Sequence, residues 1–234
     1  MKKGFSVETI KKIVLALVSL INYYSELLKA GGRVDLVISS GNRKIGHAMN
    51  VSLAPIVTCG NCKECKYFCY DVKACCQYEN VRKARAKNTA LFNYSRDEFF
   101  RQLWARMAKK RTNKFLRFHV SGEIRDMDHF SRMVETARLF PDFTVWTYTK
   151  MYGIVNEYIR QHGGNKNCIP DNFSVMFSEW KGLPIDNPYG MPVFRCVLPE
   201  EEKPDCFHCP GNCNECKANH TGCIAGESAW VDLH

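Results

Sequence analysis

The feature that most constrains this chain is a run of closely spaced cysteines near residue 60. Four thiols follow the spacing C-x2-C-x2-C-x3-C, at Cys59, Cys62, Cys65 and Cys69. Ligands every three or four residues can surround one small inorganic core, and this spacing is typical of loops that hold a [4Fe–4S] cluster. The run therefore predicts a metal centre. An iron–sulfur cluster is favoured, and the alternative is a zinc ion held by four thiolates.

Cysteine is also abundant in the chain as a whole. Thirteen cysteines among 234 residues indicate disulfides in a secreted protein but metal ligation in a reducing compartment. Apolar residues between Ile10 and Leu28 recur at helical spacing, and no signal-peptide cleavage site follows them. Their longest run is too short to span a membrane. We therefore expect an amphipathic N-terminal helix, capped by Ser6, in a cytoplasmic protein that binds metal and no membrane.

Beyond this helix, predicted strands and helices alternate. Helices are predicted at 72–92, 95–110, 128–140 and 152–162, and 39–46 is predicted as a loop. Strands are predicted at 34–38, 114–120, 143–148, 173–177 and 193–197. Such alternation is typical of parallel strands with helical crossovers. The predicted fold class is α/β, either a partial (βα) barrel or an open, mostly parallel sheet. We expect an α/β domain over 1–198, with a cluster-binding loop at 59–76, and a cysteine-rich extension over 199–234.

Polar side chains stand where several predicted strands end. Asn42 follows the first strand, the run Ser121, Gly122 and Glu123 follows the second, and Lys150 follows the third. The carboxyl ends of parallel strands meet at one edge, so we expect these groups to face one cavity beside the cysteine loop. Glu123 and Lys150 would suit the ammonium and carboxylate groups of a small zwitterionic ligand. Alternatively, the two side chains pair with each other.

Several of these motifs, in register over residues 40–180, resemble the bacteriophage gene product 88 family. The segments concerned are Gly41-Asn42-Arg-Lys44-Ile45-Gly46, Thr58-Cys59, Cys65-x3-Cys69-Tyr70-Asp-Val-Lys73, Phe118-His119-Val-Ser121-Gly122-Glu123 and 143–150. In this resemblance Cys59, Cys65 and Cys69 are the shared thiols, and Cys62 is extra. The family implies a phage or prophage origin, and hence the cytoplasm of a bacterial host.

A more distant resemblance is to radical S-adenosylmethionine enzymes. These place a three-cysteine loop after the first strand of a partial barrel, and a Gly-Gly-Glu motif, here Ser121-Gly122-Glu123, near the amino group of the cofactor. The resemblance implies a cluster with one open iron that binds S-adenosylmethionine, whose ammonium Glu123 would contact. Their usual spacing is C-x3-C-x2-C, which residues 59–69 do not follow. Four thiolates could instead ligate all the irons and leave no open coordination position, which would give an electron-transfer or structural cluster.

The C-terminal tail carries a second group of thiols. Cys206, Cys209, Cys213 and Cys216 form two C-x2-C pairs, and Cys223 follows. Almost no apolar periodicity occurs after Val197, so ligation would order this tail. The group predicts a second metal centre, with a cluster favoured and zinc as the alternative. The segment 209–216 also reproduces the C-x3-C-x2-C spacing, at a position where radical enzymes keep auxiliary clusters.

Two functional classes remain. The first is an iron–sulfur protein with one or two [4Fe–4S]-type clusters, possible radical or redox chemistry on an unnamed substrate, and a redox partner. The second is a non-catalytic module stabilised by zinc or a cluster. It would bind nucleic acid through the basic residues between Arg82 and Arg117, which carry much of the net charge of +9.

Overall fold

The computed structural model describes residues 4–180 and 182–232, which form two compact units. One unit, here the helical unit, comprises the residues up to Ile38 together with Val51–Lys109 and His119–Arg125. The other, here the sheet unit, comprises Ser39–Asn50, Lys110–Phe118 and the residues from Asp126 onward. These units alternate along the chain, and the domain boundary expected near residue 198 stays a prediction.

Four helices build the helical unit: α1 (Val7–Lys29), α2 (Tyr70–Gln77), α3 (Glu79–Tyr94) and α4 (Arg96–Ala108). The predicted N-terminal helix is confirmed, and the Ser6 hydroxyl accepts a hydrogen bond from the Thr9 N–H at its start. Its apolar stripe, from Ile10 to Leu28, is buried, and α1 packs against α3. The helix predicted to begin at residue 95 is also confirmed, and the Ser95 hydroxyl accepts a hydrogen bond from the Glu98 N–H at its start.

Two expectations for this unit were wrong. The helix predicted over 72–92 is broken into α2 and α3 at Tyr78, whose backbone is extended. The strand predicted at 34–38 does not form. Side-chain amides of the neighbouring helices instead make the hydrogen bonds to this backbone that a neighbouring strand would make. The Val37 N–H donates to Asn88 Oδ1 and the Leu36 N–H to Gln102 Oε1, while Asn88 Nδ2 donates to the Val37 carbonyl.

The sheet unit is built on an open sheet of eight strands in the described residues. They are β1 (Ser39–Asn42), β2 (Gly46–Val51), β3 (Phe115–Phe118), β4 (Thr144–Thr149), β5 (Phe173–Glu179), β6 (Val193–Val197), β7 (Phe207–His208) and β8 (Ala229–Asp232). Their order is β1-β2-β3-β4-β5-β6-β8-β7. The pairs from β3 to β7 are parallel. This confirms an α/β fold and, of the two alternatives, the open and mostly parallel sheet.

The first two strands correct another expectation. Residues 39–46 were predicted as a loop, but β1 and β2 form an antiparallel hairpin across them. Gly41, with φ of 99°, sits where a Cβ would lie 1.9 Å from the Gly46 carbonyl oxygen. Polar composition hides this hairpin, because neither strand alternates strongly between apolar and polar residues. The cysteine loop therefore follows β2 rather than the first strand.

Helices α5 (Met127–Leu139) and α6 (Tyr152–Gln161) connect the central parallel strands and pack on each other. The strands they connect are almost wholly buried, as in β5, where Phe173 through Phe177 are all buried. Such continuous burial is typical of parallel strands covered on both faces. A short helix, α7 (Cys213–Asn219), lies in the tail. None of the helices among the described residues has the length and apolar character to cross a membrane.

Candidate metal centres

The cysteine loop of the helical unit groups its first three thiols. Cys62 and Cys65 have sulfurs 3.9 Å apart, and the Cys65 thiol donates to the Cys62 carbonyl at 3.2 Å. Cys62 also exchanges a hydrogen bond with Cys59. The pKa of Cys62 is raised by these two thiol contacts, Cys59 first, and then by burial. Cys62 therefore lies between the other two thiols.

The fourth thiol, Cys69, immediately precedes α2. Burial raises its pKa to about 12, and the negative charges of Asp71 and Cys59 raise it too, while the backbone N–H groups of Val72 and Asp71 oppose the rise. Exposed N–H groups at a helix start stabilise a thiolate. Cys69 and Cys62 are both electrostatic neighbours of Cys59. The four predicted ligands of the loop are here called the loop thiols.

The segment His119–Arg125 is attached to both ends of this loop. Tyr70, directly after Cys69, donates its hydroxyl to the Val120 carbonyl at 3.0 Å. Arg125 Nη1 donates to the Thr58 carbonyl, directly before Cys59, at 2.8 Å. The residues flanking the cysteines on either side are thus held by one segment, which carries the predicted cofactor contacts.

Within that segment, Gly122 makes the closest approach. Its φ is 81°, and a Cβ there would lie 2.7 Å from both Leu53 Cβ and Thr58 Oγ1. Ser121 next to it donates its hydroxyl to the Leu53 carbonyl at 2.8 Å, and the Leu53 N–H donates back to the Ser121 carbonyl at 3.1 Å. The Ser121 hydroxyl therefore binds the backbone of Leu53. Glu123 is buried, with 7% of its surface exposed.

A buried ion pair fixes the helix that follows the loop. Arg85 on α3 makes two hydrogen bonds to Asp71 on α2, of 2.9 and 3.0 Å, and both side chains are nearly excluded from water. Burial lowers the pKa of Arg85, but the hydrogen bonds from Arg85 to Asp71 and the negative charge of Asp71 outweigh this effect, so the pKa is raised. This pair joins the first turn of α2 to α3, so the Cys69 end of the loop has a fixed position in the helical unit.

The remaining two residues predicted to contact a cofactor or ligand, Asn42 and Lys150, belong to the sheet unit. Asn42 accepts hydrogen bonds from the N–H groups of Lys44 and Ile45 through Oδ1, at 2.9 and 3.0 Å. It therefore shapes the turn of the β1–β2 hairpin. Lys150, after β4, donates to the Ser178 hydroxyl at 3.0 Å. The expected joint action of Glu123 and Lys150 on one ligand stays a prediction, because the two residues belong to different units.

In the sheet unit, four of the five cysteines predicted as ligands in the tail line one cavity: Cys209, Cys213, Cys216 and Cys223. These four are here called the tail thiols. Aromatic and aliphatic side chains complete the lining, including Trp146, Tyr148 and Phe207. The cavity is small, with a volume of about 20 Å³. Cys206 is exposed and lies outside this lining.

The electrostatics of the tail thiols link them to one another and to two cations. Burial raises the pKa of Cys223 to about 12, while Tyr148, which donates its hydroxyl to the thiol, and the charge of Arg117 lower it. Arg117 and Lys217 likewise oppose the raised pKa of Cys213. The guanidinium of Arg117 lies 4.8 Å from the centre of the Tyr148 ring. Two positive charges and one hydroxyl therefore face this group of thiols.

The tail is fastened to the β1–β2 hairpin by hydrogen bonds. The Cys213 N–H donates to the Lys44 carbonyl at 2.7 Å. Lys217 donates through Nζ to the carbonyls of Ile45 and His47, at 2.8 and 3.0 Å. β7 and β8 extend the sheet beyond β6. The tail, in which little internal order was expected without metal, therefore has a place in the sheet.

The ligand chemistry of both groups suits a metal centre. Within residues 4–180 and 182–232, no three His, Cys, Asp or Glu side chains are arranged around one metal-ion position. Each unit nevertheless offers four cysteine sulfurs, the ligand set of a [4Fe–4S] cluster and also of structural zinc. Thiolates 2.3 Å from a tetrahedral zinc ion lie about 3.8 Å apart. The Cys62–Cys65 sulfur distance of 3.9 Å matches that spacing, and thiolates on different irons lie farther apart.

Comparison with protein families agrees with the sequence motifs. The gene product 88 profile matches residues 27–182, two thirds of the chain. The chain belongs to the gene product 88 family. Comparisons with curated proteins and with solved structures found no significant match. The resemblance to radical S-adenosylmethionine enzymes therefore stays a prediction.

The match to the gene product 88 family covers one thiol group and omits the other. It includes the loop thiols and the segment His119–Arg125, but it ends at residue 182, before the tail thiols. Sequence reasoning did not identify the residues beside the tail thiols, above all Tyr148, Arg117 and Lys217. Arg117 alternates with buried residues in β3, a signal that could have placed it on one face of the sheet.

Several of the basic residues between Arg82 and Arg117 form ion pairs within the protein. Lys83 pairs with Glu79, Arg85 with the buried Asp71, and Arg101 with Glu98. Arg117 faces the tail thiols rather than standing alone. The segment is therefore less free to meet nucleic acid than its composition indicates, and nucleic-acid binding stays a prediction.

Proposed function

We propose that the protein is an iron–sulfur protein with one [4Fe–4S]-type centre in each unit. One observation supports this most: each unit groups four cysteine thiols, although the two sets come from separate parts of the chain. A bound cluster supplies one-electron transfer and, where an iron is open, a Lewis-acid position for a ligand. The loop thiols would hold one centre and the tail thiols the other.

Around the tail thiols, this chain's own residues are suited to a negatively charged centre. Arg117 and Lys217 offset the charge of four thiolates, and the Tyr148 hydroxyl hydrogen bonds to Cys223. Hydrogen bonds to ligand sulfurs and exclusion of water adjust the properties of such centres. With Trp146 and Phe207 in the lining, this centre would be closed. It would serve electron transfer or stability.

The loop thiols support a finer proposal, a radical-enzyme-like or redox active site. The segment with Ser121, Gly122 and Glu123 is hydrogen bonded to both ends of the loop. Glu123 would pair with the ammonium of S-adenosylmethionine, or of another amino-acid-like ligand. Three thiols, Cys59, Cys65 and Cys69, would ligate the cluster in this arrangement, and Cys62 would stay unligated.

Anaerobic purification tests the cluster proposal. We expect a brown protein that contains iron and acid-labile sulfide in equal amounts, sufficient for two clusters. Cys59→Ala and Cys69→Ala should each remove the iron of the loop centre and leave the iron of the tail centre. Cys76→Ala, a change at an exposed thiol close to the loop, is the matched control. Full iron content in the Cys59 and Cys69 variants would refute ligation by the loop thiols.

Calorimetry with S-adenosylmethionine tests the finer proposal on the iron-loaded protein. We expect saturable binding that Glu123→Gln weakens at least tenfold, since this change removes the negative charge and keeps the shape. Iron content should stay unchanged in that variant. If the fully loaded protein binds no S-adenosylmethionine, the active-site proposal fails while the cluster proposal stands.

A zinc-stabilised, non-catalytic module is the second candidate. The observation in its favour is the sulfur distance of 3.9 Å between Cys62 and Cys65, which suits two ligands of one zinc ion. A colourless protein with about two zinc ions and no sulfide would establish it. Nucleic-acid binding would then be tested with an oligonucleotide at several salt concentrations, because phosphate contacts give a steep salt dependence.

A further inference from the structure

The helical unit contains a cavity of about 550 Å³, far larger than the space among the tail thiols. Its lining comes from the end of α1, residues 32–35, the end of α3 and α4. None of the thirteen cysteines lines it. Cavities that bind small molecules usually measure about 300–1,000 Å³, so this one has the size of a ligand site.

The carboxylates that line the cavity already have partners. Glu98 accepts two hydrogen bonds of 2.6 Å from Arg101. Arg33 binds Asp35 at 2.7 Å. Hydrogen bonds from Arg101 and then Gln102 lower the pKa of Glu98 to about 2, with a smaller contribution from the charge of Arg33. These two acids and two arginines therefore neutralise one another.

Two further cations face the same space. Arg106 and Lys109 lie one helical turn apart at the end of α4, and both line the cavity. Among the described residues, neither has an acidic partner. The C-terminal end of a helix carries about half a negative charge. Two full positive charges exceed it, so the cavity has an excess of positive charge close to its surface.

Apolar and aromatic side chains also line the cavity. They are Leu28, Leu91, Ala105 and Tyr94, of which Tyr94 is 54% exposed. Gln102 holds the lining in shape, because its side-chain oxygen accepts a hydrogen bond of 2.7 Å from the Leu36 N–H. The cavity is thus lined by both apolar and cationic side chains.

We propose that this cavity binds a small aromatic anion of about the size of a mononucleotide. Its ring would lie against Tyr94 and the aliphatic side chains, and its acidic group would contact Arg106 and Lys109. The concave shape favours a small ligand over the backbone of a long nucleic acid. This binding site is separate from both thiol groups and independent of the function proposed for them.

The fluorescent dye 1-anilinonaphthalene-8-sulfonate, itself a small aromatic anion, serves as the probe. We expect saturable binding of one dye molecule per native chain. The double variant Arg106→Ala with Lys109→Ala should weaken binding roughly tenfold or more, since charged contacts to an anion are lost. The matched control is Lys11→Ala with Lys12→Ala, two exposed cations on α1 outside the cavity. Adenosine monophosphate should displace the dye, and adenosine should displace it less.

A second variant tests the shape of the cavity. Ala105→Trp fills the space while it keeps every charge, so it should also abolish dye binding without lowering the melting temperature. Dye binding that both variants leave unchanged would overturn the proposal. So would dye that is displaced only by a long oligonucleotide and not by adenosine monophosphate. The second result would assign this face to nucleic acid.

Discussion

The loop thiols and the tail thiols are two solutions to the same problem of holding four sulfurs together. The loop thiols are all partly exposed, and the short 3₁₀ turn between them, Glu64–Phe68, contains no buried residue. Among the tail thiols, Cys216 and Cys223 are buried. The loop depends on contacts at its two ends, whereas the tail site is part of the packing of its unit. A ligand change should therefore affect stability more in the tail than in the loop.

The charges around the two groups also differ. Near the loop, the charges of Asp71 and Cys59 add to the raised pKa of Cys69, and only backbone N–H groups oppose them. Near the tail, Arg117 and Lys217 oppose the raised pKa of Cys213. A thiolate forms more easily beside a cation. The tail is therefore suited to a permanently held centre, and the loop to one with an accessible position.

The largest effect should come from a tail ligand. Cys213→Ala removes one sulfur of a centre that would hold the tail, and metal ligation contributes directly to folding. We expect the loss of that centre's metal and a fall in stability on the order of 4 kcal/mol, or roughly 10 °C in melting temperature. Cys206→Ala changes an exposed thiol of the same tail and should alter neither quantity. Equal metal loss in the two variants would contradict the assignment.

The buried ion pair of the helical unit should give the next largest effect. Asp71→Ala leaves Arg85 buried without its carboxylate, which costs about 3 kcal/mol. Because α2 is then released from α3, the loop centre should lose metal while the tail centre keeps its own. Lys83→Ala breaks an exposed pair on α3 and should cost at most about 1 kcal/mol. Denaturant unfolding and metal analysis measure both effects, and simultaneous loss of both centres would show that the two sites are not independent.

Gly122→Ala should have a smaller effect, confined to the loop. The added Cβ would overlap Leu53 and Thr58, so the segment His119–Arg125 would move away from the cysteines. We expect about 2–3 kcal/mol of destabilisation, from the positive φ and the overlap together. Gly31→Ala has a similar φ of 80° but meets nothing within 4 Å, so it should cost only about 1 kcal/mol. Equal unfolding free energies for the two variants would mean that the overlap is relieved at no cost.

Local patterns in the sequence predicted the regular parts of both units. Helical periodicity and the caps at Ser6 and Ser95 gave α1 and α4, and short apolar runs gave β3 to β6. The strand expected at 34–38 failed because Asn88 and Gln102, more than fifty residues away, bind its backbone. Hydrogen-bond partners so far apart in the chain leave no pattern in the local sequence.

The candidate sites were predictable in part. Spacing along the chain identified the thiols, but it could not separate Cys206 from the four that share a cavity, because this depends on how β7, β8 and α7 fold. The cations beside the tail thiols come from β3 and α7, which are about a hundred residues apart. Their meeting is a property of the sheet order and not of any motif.

The smallest effect is a pH dependence specific to the helical unit. His119 is 4% exposed, and burial lowers its pKa from 6.5 to about 3. The unfolded chain therefore binds a proton below pH 6.5 that the folded chain does not bind until about pH 3. This contribution to stability is complete above pH 6.5 and is lost as the pH falls through that window. Between pH 7 and pH 5 the loss should be roughly 2 kcal/mol.

His119→Gln should remove this part of the change in stability with pH, which denaturant unfolding at the two pH values measures. Hydrogen exchange at pH 5 should show faster opening in the helical unit than in β4 and β5 of the sheet unit. An unchanged slope in the variant would mean that another group is responsible.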